Sequence, residues 1–110
     1  MALDIGSLAS QMLAAALPIL KKDAQDAESF AKTEFTKIAQ TVASIAEQLA
    51  AGQINQQQAG LLLDMQKSAS RNVLLCLQGL SLLAVEAAIN AALGVIKTAV
   101  NTVVGFALVV

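Results

Sequence analysis

Charge is segregated along this chain more sharply than any other property. Twelve of its fifteen charged residues fall between Lys21 and Arg71, and from Asn72 to Val110 only Glu86 and Lys97 are charged. A helical segment that is apolar on every side must be covered on every side, by protein or by lipid, so this pattern limits what the two ends can do. Overall the chain is 56% hydrophobic and 14% charged, against roughly 45–50% and about 25% in ordinary soluble domains. That excess excludes a disordered chain. A length of 110 residues makes one domain at most. The net charge of −1 supplies no basic footprint, so nucleic acid is not an expected partner.

Helical periodicity accounts for the middle of the chain. Ala31, Phe35, Ile38, Val42, Ile45 and Leu49 alternate four and three apart, the heptad seam of a helix packed on other helices. Lys32, Glu34, Lys37, Gln40, Ser44 and Glu47 occupy the opposite face. The segment 50–58 then reads as a turn. Gly52 provides the left-handed conformation favoured at a helix C-terminus, and Asn55 with Gln58 has capping-box spacing. A connector this short makes its two helices antiparallel neighbours. Beyond it, Leu62, Met65, Ala69, Val73, Cys76, Leu80 and Leu83 continue the three-or-four spacing.

The expected fold is therefore all-α: one long antiparallel helical hairpin that oligomerises into a helix bundle. It comprises a short helix to about Leu17, a helix over 18–51 beginning at Pro18, a turn over 52–55 and a long apolar helix over 56–106. Proline in the first turn of a helix replaces an N–H that has no partner there. Folding about the turn divides the single domain into a polar half, 21–86, and an apolar half, 1–20 with 87–110. It also brings Lys21 and Lys22 level with Glu86. A carboxylate in an apolar helix needs a partner, so a Glu86–Lys21 or Glu86–Lys22 ion pair is expected at the boundary, unless Glu86 lies on an exposed stripe. Glu86, Asn90, Lys97 and Asn101 are spaced four, seven and four apart, which places them on one helical face.

Chemistry-bearing motifs are scarce. The chain has no histidine and one cysteine, which removes the commonest general base and metal ligand and any intrachain disulfide. Cys76, inside an apolar run, reads as a small buried hydrophobe. Asp23, Asp26 and Glu28 sit beside Lys21 and Lys22 and read as a solvated charge run. No Gly-rich phosphate loop, nucleotide fingerprint or paired-cysteine motif is present. The expectation is a non-enzyme with no catalytic residue, cofactor or metal.

Two roles fit the segregation. In the first, the chain is its own partner: Leu13, Leu17, Leu80, Leu83, Ala87, Ala91, Gly94, Val100 and Phe106 form an oligomer interface, and small residues let backbones approach closely. In the second, the apolar half is set in a bilayer as a small pore or channel subunit, with the Glu86–Asn101 stripe facing a lumen. Its depth of about 20 residues, roughly 30 Å, matches the hydrocarbon thickness. Against that, Glu86 and Lys97 break the C-terminal segment into runs of 14, 10 and 13 residues, and aromatic interface anchors are missing. A protein partner covering the C-terminal helix is a third way to bury it. Residues 8–20 are apolar, but Asp4 stands where a signal peptide carries positive charge. A cleavable signal is not expected, and the cytoplasm and a membrane surface both remain open as locations.

Overall fold

A computed structural model describes residues 3–22, 24, 26–77 and 79–110; Asp23 lies outside them. Among the described residues there are four helices: α1 (Ile5–Lys21), α2 (Ala27–Ala50), α3 (Gln56–Leu75) and α4 (Leu82–Val104). The all-α expectation holds, and the helices pack as a bundle. The chain is nevertheless not a hairpin of two long helices, because it is interrupted between Lys21 and Ala27 and again between Leu75 and Leu82.

Local chemistry explains each boundary. Asp4 begins α1 by accepting from the Ser7 backbone N–H at 3.2 Å. Pro18 lies inside α1 instead of opening a new helix; it has no N–H to offer the Ala14 carbonyl, yet the helix runs on to Lys21. The turn after α2 is as the sequence predicts. Gly52 has φ +73. The Gln53 N–H donates to Gln48 O at 2.9 Å and the Gly52 N–H to Leu49 O at 3.1 Å, the paired bonds of a Schellman ending. Asn55 and Gln58 form the reciprocal capping box, at 2.8 and 2.9 Å. The break before α4 has the same kind of cause. Gly79 takes φ +95, and the Ser81 hydroxyl caps α4 by accepting from the Ala84 N–H at 3.1 Å. Gly105, at φ +84, ends α4.

Around the bundle the order is α3, α2, α1, α4. The α1 helix packs extensively on both α2 and α4, and α2 packs on α3, whereas α3 and α4 meet only slightly although they are consecutive in sequence. The apolar ends of the chain do come together, as α1 against α4. The core contains Met12, Leu20, Phe35, Ile38, Val42, Ile45, Leu74, Val85, Ile96 and Val100, all fully buried. Burying each such side chain contributes about 1.5–3 kcal/mol. The heptad seam of α2 is inward from Ala31 to Ile45, with Leu49 packed at its edge.

The inward face of α3 differs from the expected one. Ala59, Leu63, Ser70 and Leu74 are buried, whereas Met65 is 67% exposed and Leu83, beyond the break, is 79% exposed. Ala69 is also outward. Three consecutive leucines, Leu61 to Leu63, point in three directions around a helix, so periodicity alone leaves the phase undetermined. A polar contact selects it here. The Thr41 hydroxyl donates to Gln66 Oε1 at 3.2 Å, and Gln66 Nε2 donates to the buried Ser70 hydroxyl at 3.1 Å. Cys76 is exposed, not buried; its thiol donates to the Asn72 carbonyl at 3.4 Å.

Candidate functional site

The α4 helix presents three different faces. The first points into the core through Val85, Ala88, Ile89, Ala92, Leu93, Ile96 and Val100. Val100, expected at an oligomer interface, is thus buried within its own chain. The second carries the predicted polar stripe. Glu86, Asn90 and Lys97 are exposed along one side, and Asn101 is half-buried at its end. This side faces the seam between α3 and α4, where a groove of about 370 Å³ is lined by Asp64, Lys67, Ser68, Arg71, Glu86, Ile89 and Asn90.

The expected boundary ion pair does not form. Glu86 lies across the seam from Arg71, at 3.6 Å, and Lys21 pairs with Glu28 at the α1–α2 corner, at 3.7 Å. Both geometries follow from the two chain breaks, which fold α1 back on α2 and set the start of α4 beside the end of α3. Each pair is about half-exposed and contributes little to stability. The more consequential ion pair was hidden on a face expected to be solvated. Glu34 is 3% exposed and accepts from Lys37 at 3.2 Å.

The third face of α4 points outward. Ala87 and Gly94 are exposed and Ala91 is half-buried, and Thr98 continues their four, three, four spacing. Leu83 and Val95 flank this strip at 79% and 48% exposure. Of the other expected interface residues, Leu13, Leu80 and Phe106 are partly buried against the core, and Leu17 is also half-buried. The sequence-predicted interface is therefore divided: its centre on α4 stays outward while its remaining members pack within the chain.

The lower end of the α3–α4 seam is closed by the chain itself. After Gly105 the backbone turns back, with the Leu108 N–H donating to Phe106 O at 2.9 Å. Leu108 and Val109 are 6% and 2% exposed. Asn101 clamps this segment: its Nδ2 donates to Val109 O and its Oδ1 accepts from the Val109 N–H, both at 2.9 Å. A cavity of about 210 Å³ remains beside this segment, lined by Leu63, Asp64, Lys67, Gly94 and Lys97 together with Leu108, Val109 and Val110. Sequence reasoning placed Asn101 on the polar stripe; in the structure its amide is taken up by the chain's own backbone at Val109. Among the described residues, no three cysteine or acidic side chains gather as a metal site. No protein-family model, curated protein or solved structure matches the chain.

Proposed function

We propose that this is a non-enzymatic helical protein with a structural or interaction role, which self-associates through the outward face of α4. The observation that carries this is the outward strip of exposed Ala87, Gly94 and Thr98 with half-buried Ala91, between Leu83 and Val95 on α4, the most apolar of the described helices. Small residues at three-and-four spacing let a second helix approach closely, and the flanking leucine and valine supply apolar area that water otherwise covers. The four-helix fold buries its own core, so self-association here needs only this face and not the whole apolar half of the chain.

Light scattering without detergent tests the proposal. A discrete dimer or tetramer is expected, and Ala87→Arg with Val95→Glu should convert it to monomer with unchanged helical circular dichroism. Both substitutions fall on exposed positions, so the fold tolerates them. A wild-type chain that is monomeric at every concentration refutes the reading.

A bilayer is the second reading, favoured by one observation. The α4 helix has 23 residues, reaches a mean hydropathy of 1.6 over its most apolar window, and has only 39% of that window buried. At 1.5 Å per residue it is long enough to cross the hydrocarbon layer. Insertion would carry Glu86 and Lys97 with it, at about 2.5–3.5 kcal/mol for a charge at the bilayer centre, which is why self-association is preferred. Co-sedimentation with lipid vesicles that survives a carbonate wash would reverse that preference.

A further inference from the structure

We infer that the cleft along the α3–α4 seam binds a small zwitterion with an apolar side chain, of the α-amino acid class. The cleft exists because α3 and α4 scarcely pack on each other, and the chain bounds it at both ends. Arg71 and Glu86 span the seam at its upper end, 3.6 Å apart. Residues 106–110, clamped through Asn101, fill its lower end. Between these bounds lie two cavities of about 370 and 210 Å³. Asp64, Lys67 and Asn90 line both of them, so these three residues stand where the cavities adjoin. A concave site with apolar walls and a few placed polar groups is the usual form of a small-molecule pocket.

The charges at that junction specify the ligand. Asp64 and Lys67 lie about 5 Å apart along the α3 axis, and among the described residues neither is in an ion pair. Lys67 is therefore available to donate to a carboxylate and Asp64 to accept from an ammonium, and the Asn90 amide on α4 can do both. A dianion would meet the carboxylates of Asp64 and Glu86, and a simple cation would meet Lys67 and Arg71. A ligand carrying one charge of each sign on neighbouring atoms satisfies both unpaired groups. The lower cavity adds the apolar requirement, because Leu63, Leu93, Leu108 and Val109, all buried side chains, form its walls. An aliphatic side chain placed there is taken out of water. This site does not depend on self-association.

Titration of the full chain with four probes, followed by NMR amide shifts, tests the assignment: leucine, isocaproate (leucine without its amine), isoamylamine (leucine without its carboxylate) and glycine. Leucine should shift the amides of Asp64, Lys67, Asn90 and Gly94 saturably. Each of the other probes lacks one recognised group and should bind about ten- to hundredfold more weakly. Two variants then assign the charges. Asp64→Asn should abolish the preference for leucine over isocaproate, and Lys67→Gln the preference over isoamylamine. Asp64 is exposed and Lys67 half-buried, so both variants should keep the wild-type circular dichroism and melting temperature, which separates a lost ligand contact from a lost fold. Absence of a saturable shift at these four amides overturns the proposal. Isocaproate or isoamylamine binding as tightly as leucine does the same, as does full discrimination surviving in Asp64→Asn or Lys67→Gln.

Discussion

Replacing Asn101 by alanine should free the C-terminal segment while leaving the helical core folded. Docking of residues 106–110 fixes five residues, which costs about 5–10 kcal/mol of backbone entropy. Burial of Leu108 and Val109 returns about 3–6 kcal/mol, and the two Asn101 bonds at 2.9 Å add about 1–3 kcal/mol together. The opposing terms nearly cancel, so the clamp decides whether the segment is docked. Native-state amide hydrogen exchange measures this directly. In Asn101→Ala the Val109 amide should lose its protection and exchange like that of an undocked chain, because losing about 1–3 kcal/mol outweighs a near-balanced docking free energy. Amides in the middle of α2, such as that of Val42, should be nearly unchanged, because the segment opens without the rest of the molecule. Unaltered exchange at Val109 would show that the two bonds do not hold the segment. Equal losses at Val109 and Val42 would show that it opens only with global unfolding, and either result refutes the reasoning.

Other substitutions test the elements that shape the bundle. Gly79→Ala, at φ +95, should cost about 1–2 kcal/mol and lower the melting temperature by about 4–8 °C per kcal/mol, followed by circular dichroism. Gly60→Ala should do the opposite, by about 0.5–1 kcal/mol, since Gly60 is inside α3 and a Cβ there meets nothing within 4 Å. Lys37→Ala leaves the buried Glu34 carboxylate without its partner and should destabilise more than Lys37→Ala combined with Glu34→Leu; urea titration of the double-mutant cycle gives the comparison. Ser70→Ala removes the acceptor for Gln66 Nε2 and should cost about 1–2 kcal/mol in the same titration.

Several features were legible before any tertiary information. The turn at Gly52 and Asn55 follows from backbone conformation and from hydrogen bonds within six residues, so nothing distant alters it. The α2 seam from Ala31 to Ile45 follows from helical period and burial. The Gly79–Ser81 break rests on equally local chemistry, and the glycine and the capping serine were both present to be read. They were obscured by apolar spacing that runs through them without interruption, because periodicity registers which side of a helix is apolar and not whether the helix continues.

What the sequence by itself determined is the all-helical class and the α2–α3 turn. These depend on residue type and on neighbours a few positions away. Only the tertiary structure decided what each face touches. Arg71, not Lys21 or Lys22, meets Glu86 because the chain reverses before α4. Val100 turns inward while Ala87 and Gly94 stay outward, because α1 covers one side of α4 and α3 fails to close on another. The Asn101 clamp bridges eight residues across a reversal, so it exists only once Gly105 has turned the chain back. An apolar surplus could say that α4 must be covered; which of its faces remain uncovered is fixed by where the other helices end.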